Sequence, residues 1–290
     1  MKRMGWAVVA LVLCGSGFLP GHALAHHEAI FGPQSSLMFS EPGFVSVQLF
    51  TRQLGTSDRK TQETTTLVSA GYEPFDGTPL SFSGIFPVSY IDEPGGTADR
   101  SGLEDFIFGV RYRFDLEALQ ESTGKTGNFI LGMGAVEVPN GKIDHDPGKG
   151  ALDYMTAVLG SVERGEWSGI AYAFFRFNGE YDHEQPGDFR FYGGGVAYTP
   201  FDDPETEELL SFQLGVSYEI YDKDQVDGKT VDESGGTELL LHPTIVWGPG
   251  EKRLLFFLVS IPVARDFNDP AEQDRWRAGM GFVQLFGREE

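Results

Sequence analysis

Charged side chains recur at every second position in segments that are otherwise apolar. Arg111 and Arg113 alternate in this way with Val110, Tyr112 and Phe114. Successive side chains of a β-strand point to opposite faces of a sheet, so this pattern gives one charged face and one apolar face. Arginines and carboxylates on the inside of a closed sheet can select passing solutes by charge and size. They can equally pair with one another and fill a narrow interior, and the sequence leaves both alternatives open.

Nine ionisable residues are predicted to share such an inward face. An arginine that faced lipid at the middle of a bilayer would cost about 2–4 kcal/mol, which favours the inward assignment for the central ones. The set comprises Arg52, Arg111, Arg113, Asp153, Glu219, Glu238, His242, Arg275 and Arg277.

The segment 254–263 differs from the others because it is apolar on both faces. Alternation places Leu254, Phe256 and Leu258 on the inside. These side chains form either an apolar wall for an aromatic substrate or a surface against which residues 26–35 fold as a plug. Both alternatives stay open at the level of sequence.

Catalytic chemistry finds little support in the sequence. Cys14 is the only cysteine and no G-x-S-x-G motif occurs. An outer-membrane esterase would need a serine, a histidine and an orienting group together on its lipid-facing side, whereas His242 is assigned inward. We therefore predict no catalytic residue, no cofactor and no enzymatic activity, with an esterase as the least favoured alternative.

Two histidines are candidate metal ligands at the start of an exported chain. Lys2 and Arg3 precede a short apolar run, and Ala23 and Ala25 supply the small residues that a signal peptidase recognises. We expect residues 1–25 to be cleaved, which removes the only cysteine and any disulfide with it. His26 and His27 would then follow a free amino terminus and could bind copper; the alternative is a flexible terminus.

The fold prediction rests on period-two hydrophobicity. Residues 210–220 alternate without an error, with Phe212, Leu214 and Val216 on one face and Gln213 on the other. Strands of about 9–11 residues suffice to cross a bilayer at a tilt. Twelve such strands are predicted, over 43–53, 63–73, 79–91, 103–115, 127–138, 151–163, 166–178, 188–199, 208–221, 236–247, 252–265 and 274–286.

The connections between these segments alternate in length, with 115–126 as the exception, and the longer ones after the odd-numbered segments are rich in Gly, Pro and Asp. Short turns on one side and long loops on the other are typical of transmembrane antiparallel up-and-down β-barrels. We therefore predict an all-β barrel over residues 36–290 with both termini in the periplasm, preceded by a periplasmic or plug segment over 26–35. A soluble β-sandwich or lipocalin-like barrel is the alternative.

Two predicted strands contain irregularities. Phe174 and Phe175 interrupt the alternation of the seventh strand. The run Gly193–Gly195 weakens the eighth strand, and consecutive glycines of this kind often mark a bend or a bulge.

The middle of the chain resembles a known family. The segments 101–114 (SGLEDFIFGVRYRF), 137–141 (EVPNG) and 148–153 (GKGALD) carry this resemblance. They are similar to the outer-membrane transporter family named after the MetA pathway of phenol degradation. In that family a G-L-G-D strand leads to a P-T-G and then a Gly-rich loop; here Glu104 and Asn140 replace the second glycine and the threonine.

The resemblance implies a channel or transporter in the cell outer membrane for small, often hydrophobic or aromatic, molecules. The expected partners are outer-membrane lipid, lipopolysaccharide, the barrel-assembly machinery and a small-molecule solute. Nucleic acid is excluded as a partner by the net charge of −21. A plugged structural or metal-associated barrel without transport is the alternative function.

Overall fold

The computed structural model describes most of the chain after residue 42. The predictions for residues 1–25, for the segment 26–35 and for His26 and His27 lie outside the described residues and stay predictions. The described ranges are 43–55, 60–75, 78–92, 100–125, 127–140, 150–203, 205–206, 208–250, 252–269 and 273–286.

Within these ranges, twelve antiparallel spans close into one barrel, which confirms the predicted all-β fold. One of the twelve spans consists of two short strands in line. The strands of the barrel are β1 (Gly43–Gly55), β2 (Lys60–Tyr72), β3 (Leu80–Asp92), β4 (Arg100–Leu103) with β5 (Phe106–Asp115), β6 (Phe129–Val138), β7 (Asp153–Arg164), β8 (Trp167–Phe177), β10 (Phe189–Asp203), β11 (Glu208–Tyr221), β14 (Gly236–Pro249), β15 (Arg253–Phe267) and β16 (Asp274–Phe286).

The remaining described elements lie in the connections. Strands β9 (Glu184–Gln185), β12 (Gln225–Val226) and β13 (Lys229–Thr230) form a small three-stranded sheet. Helix α1 (Glu117–Thr123) lies between β5 and β6 and ends at Gly124, whose φ of +67° is the left-handed conformation that glycine adopts without strain.

Closure is achieved by pairing the first and last strands. Gly43 of β1 pairs with Phe286 of β16, so both ends of the described barrel lie at the same rim, which we call the terminal end. We call the opposite rim the loop end; it carries the connections after β1, β3, β6, β8, β11 and β15. A closed sheet leaves no edge strand with unpaired backbone groups, which is the condition for a sheet to sit in lipid.

The barrel wall has two faces of different character. On β11, Phe212 and Leu214 are 46% and 48% exposed, whereas Gln213 between them is 6% exposed. The same alternation runs around the barrel, with exposed Phe, Tyr, Val, Leu and Ile side chains outside and buried side chains inside. An outward apolar surface of this kind matches the lipid-facing band of membrane barrels.

The two segments in which the sequence predicts irregularities form regularly paired strands in the structure. Phe174 faces inward and is buried, and β7–β8 pairing continues through Phe175 without a shift. The run Gly193–Gly195 also pairs without a shift on both sides. Shifts in register occur instead at Gln53/Leu54, Tyr198/Phe201 and Leu239/Leu240.

The inward glycines have a packing role. A Cβ atom on Gly193 would lie 2.4 Å from the ring of Tyr172, and one on Gly281 would lie 2.4 Å from the ring of Phe256. Because glycine has no side chain, each ring can lie against the wall over its neighbour's backbone. The expected bend at Gly193 is thus replaced by an aromatic contact.

This contact predicts that Gly193→Ala destabilises the barrel. Overpacking against Tyr172 should cost about 1–3 kcal/mol of unfolding free energy. Gly132→Ala is the matched control, since nothing lies within 4 Å of a Cβ at that position. Urea unfolding of both variants in lipid vesicles measures the difference, and equal stabilities would contradict the packing role of Gly193.

Candidate functional site: a charged belt inside the barrel

Charged side chains are concentrated inside the loop end of the barrel. Eleven of them are buried or nearly so and lie close to the loop-end rim, nine on strands around the wall and two in the break between β4 and β5. We call this set the charged belt. It consists of Arg52, Glu63, Glu104, Asp105, Glu137, Asp153, Arg176, Glu219, Glu238, Asp274 and Arg277.

Arg277 of β16 is the centre of the largest cluster. Its guanidinium donates two hydrogen bonds to Glu219 of β11, at 3.1 and 2.7 Å. It also donates to Glu238 of β14 at 3.1 Å and to Asp274 of its own strand. The planar fork of arginine suits such bidentate contacts. The side chain thus reaches past β15 and connects non-adjacent strands through the interior.

A second cluster begins at Arg52 of β1. Arg52 donates to Glu63 of β2 through Nε at 3.0 Å and through Nη2 at 2.7 Å. Polar contacts continue from this pair along the neighbouring strands. The hydroxyl groups of Thr65 and Ser89 lie 2.6 Å apart, and Ser89 donates to Glu104. Four consecutive spans are therefore joined by buried polar contacts.

A third cluster surrounds Arg176 of β8, whose side chain is 2% exposed. Its guanidinium donates to Asp153 of β7 at 2.7 and 3.1 Å and to Glu137 of β6. The other oxygen of Asp153 accepts the backbone N–H of Gly179 at 2.8 Å. This cluster therefore fixes the start of the connection after β8 as well as three strands.

His242 links two strands where backbone pairing is interrupted. Its ring nitrogens lie 2.8 Å from the hydroxyl groups of Ser217 on β11 and Ser260 on β15. The register of β14 with β15 passes from Leu241 to Thr244 without pairs for the two residues between them. One of these, Pro243, has no N–H to donate. The imidazole supplies contacts across this gap.

Aromatic rings line the wall beside the belt. Phe191 lies 5.1 Å from Phe174 and 5.5 Å from Tyr172 between ring centroids, and Phe189 lies 4.8 Å from Tyr221. The hydroxyl of Tyr221 donates to Glu219 at 2.8 Å. Aromatic pairs at these distances stabilise the wall beyond their burial alone.

An apolar patch lies on one side of the interior, nearer the terminal end. The predicted wall residues Leu254, Phe256 and Leu258 face inward and are 5%, 5% and 6% exposed. They belong to one hydrophobic cluster with Val246 and Val283 of the neighbouring strands. On this side of the barrel, the inner wall therefore changes from apolar to charged along the barrel axis.

The predicted ionisable set is divided by the structure. Asp153, Glu219 and Glu238 lie in the belt with Arg52 and Arg277, while His242 lies beside it.

Two of the predicted arginines are inward but lie towards the terminal end. Arg111 lies 5.0 Å above the ring of Phe44, and Arg113 lies 4.5 Å above the ring of Phe129. Cation–π contacts of this kind stabilise a guanidinium against an aromatic face.

Arg275 departs from the predicted inward set. The pairing of β16 with β1 passes from Trp276 to Asp274, so Arg275 is the extra residue of a bulge and is exposed. The bulge places Asp274 in the inward position instead.

Six belt residues were missed by the sequence prediction for local reasons. Arg176 follows the apparent break at Phe174, although strict alternation from Tyr172 would have found it. Asp274 was hidden by the bulge. The others stand at strand ends, where alternation is hardest to assign: Glu63, Glu104, Asp105 and Glu137.

The composition of the belt determines its electrostatic character. It contains eight carboxylates and three arginines. A further arginine outside the belt, the exposed Arg265, donates to the backbone oxygen of Asp274. A narrow interior with excess charge of one sign raises the local concentration of the opposite sign. In the part of the chain that the structure describes, no three His, Cys, Asp or Glu residues are grouped so as to hold a metal ion.

The clusters predict a large loss of stability on Arg277→Ala. Removing the arginine leaves three buried carboxylates without their counter-charge, which should cost about 3–5 kcal/mol. Lys223→Ala removes a cation from the exposed pair with Asp232 and should cost less than about 1 kcal/mol. Denaturant unfolding followed by tryptophan fluorescence compares the two, and a similar small loss for both would contradict the role of Arg277.

Known structures share this architecture. An outer membrane channel of the COG4313 type from Pseudomonas putida F1 superposes with a TM-score of 0.70 at 13% sequence identity, over 91% of this chain and 100% of that one. The β-domain of the Bordetella autotransporter BrkA gives a TM-score of 0.52 at 13% identity, over 85% of this chain and 100% of that one.

No family model and no curated protein sequence matches the chain. Among the described residues, no helix has the length and hydropathy needed to cross a membrane. The fold is thus that of outer-membrane β-barrels, and the resemblance to the MetA-pathway family rests on its sequence motifs.

Proposed function

We propose that this protein is a channel of the cell outer membrane for small solutes, with the charged belt as its constriction. The observation that carries the proposal is the position of the belt, which brings charged groups from strands all around the wall to one end of the interior. Rings of charged side chains at one level are how many pores select solutes.

The fold comparison supports this proposal from a second direction. The structure with the TM-score of 0.70 is an outer membrane channel, and all of that chain is matched. The outward apolar side chains supply the lipid contact that such a location requires. On this proposal both termini lie in the periplasm, lipopolysaccharide surrounds the loop end, and the barrel-assembly machinery inserts the chain.

The apolar patch inside the barrel suits small hydrophobic or aromatic solutes. Leu254, Phe256 and Leu258 would contact the apolar part of a solute by removing its surface from water. The same preference is implied by the family resemblance.

A plugged barrel without transport is the second candidate. It is favoured by the burial of the belt, since Glu238, Asp153 and Glu104 are each 1% exposed and meet other groups of the protein rather than open water. The two functions differ in one measurable property, the passage of solute.

An esterase has less support. His242 contacts Ser217 and Ser260, but all three face the interior of the barrel. A lipid substrate would approach from the other face of the wall. We propose that these residues tie strands together and that the protein is not an enzyme.

The channel predicts a measurable single-channel conductance in planar bilayers. Tyr221→Ala removes an inward ring at the belt and should increase that conductance, because it widens the constriction. Tyr218→Ala, on the outward face of the same strand, is 43% exposed and should leave the conductance unchanged.

The contradicting outcomes are distinct. A folded wild-type barrel that passes no ion and no small solute would favour the plugged candidate. Recovery of the protein only from the soluble fraction, without heat-modifiable gel mobility, would overturn the outer-membrane location itself.

A further inference from the structure

Four buried oxygen atoms inside the barrel have no hydrogen-bond donor. They are Oε1 of Gln213, Oγ1 of Thr244, Oε1 of Glu238 and Oδ1 of Asp274. The four residues are between 1% and 6% exposed. A buried acceptor without a donor costs about 1–3 kcal/mol, so such atoms usually mark a place where something else binds.

These oxygens occupy one side of the interior. Gln213 of β11 pairs directly with Thr244 of β14, and Glu238 lies further along β14 towards the loop end. Asp274 of β16 lies close to Glu238, because both carboxyl groups accept hydrogen bonds from the guanidinium of Arg277. Two carboxylates are both acceptors, so a proton or another cation between them is needed for a favourable contact.

The donorless oxygens therefore begin in the charged belt and continue beyond it. Gln213 and Thr244 are neutral and lie outside the cluster of acids, so they are an observation independent of its charge. Ser217 of β11 and His242 of β14 lie between the pair Gln213–Thr244 and Glu238, and they add further polar groups along the same two strands. A cation leaving the belt would meet further acceptors along this line.

The arginines of the belt do not cancel the negative charge of its carboxylates. Arg52 is bound to Glu63, Arg176 to Asp153 and Glu137, and Arg277 to Glu219, Glu238 and Asp274. Each guanidinium is thus bound by at least one carboxylate. The carboxylates of the belt outnumber its arginines, so the surplus charge that a solute meets in the belt is negative.

We propose that the interior selects positively charged small solutes, with Glu238 and Asp274 as the contact for the positive group and Gln213 and Thr244 as the next acceptors along the path. This inference rests on the proposed channel function and names its solute class. The solute chemistry is an alkali cation or an ammonium group, and the apolar patch of Leu254, Phe256 and Leu258 accommodates an organic cation with an apolar body.

The test is the reversal potential of the wild-type barrel in a planar bilayer that separates unequal KCl concentrations. The proposal predicts a potential whose sign corresponds to potassium crossing more readily than chloride. Liposome swelling extends the test to organic solutes, with lysine entering faster than glutamate, which has the opposite charge.

The variants assign the selectivity to the named residues. Asp274→Asn removes a carboxylate from the pair, and Glu238→Gln removes a carboxyl oxygen from it, so each should shift the potassium-to-chloride permeability ratio towards unity. Gln213→Leu removes an acceptor without changing the charge and should lower potassium conductance while the barrel stays folded. Asp232→Asn is the control, because that exposed loop carboxylate pairs with Lys223 outside the barrel and its loss should leave the ratio unchanged.

The outcomes separate the two proposals. A barrel that conducts without preferring cations would overturn this inference while the channel function stands. A selectivity that Asp232→Asn lowers as much as Glu238→Gln would also overturn it, because the preference would then come from overall charge. A barrel that conducts no ion at all would overturn both.

Discussion

The interior of this barrel depends on the ion pairs of Arg277 with three buried carboxylates. Its guanidinium reaches past β15 and binds carboxylates from β11 and β14, and one from β16 itself. Burying several like charges together is unfavourable unless a counter-charge lies among them. Arg52 and Arg176 supply this counter-charge to other carboxylates of the belt. The three arginines thus bind six of the eight carboxylates that are gathered near the loop end of the closed sheet.

The rest of the interior is arranged around this charged level. Towards the terminal end, Leu254, Phe256 and their neighbours form an apolar lining. Inward glycines let large rings lie against the wall there, as Phe256 does over Gly281. Along this side of the wall, a solute that entered from the loop end would meet charge first and apolar surface afterwards. This order suits a molecule that carries a charged group on a small apolar body.

Local pattern was sufficient to predict the wall and insufficient to predict the contacts inside it. Alternation over residues 210–220 correctly separated Gln213 from Phe212 and Leu214, because period two is a property of each strand alone. The contact of Arg277 with Glu219 depends on how β11, β14 and β16 are staggered around the closed barrel, which no single segment encodes.

Bulges and apparent breaks account for further differences. Arg275 and Asp274 exchange faces because β16 contains one extra residue, and nothing in the sequence at that point distinguishes it from a regular strand. Arg176 was missed for the opposite reason, since Phe174 and Phe175 look like a break although the strand is regular.

The most direct test of the account is the rate at which charged thiol reagents reach the interior. A Gln213→Cys variant can be treated with a positively and a negatively charged methanethiosulfonate of similar size. Both reagents are added to intact cells, where the proposed orientation exposes the loop end. The account predicts faster modification by the positively charged reagent, because it must pass the surplus carboxylates of the belt. Equal rates, faster modification by the negative reagent, or no modification by either in the folded barrel would contradict it.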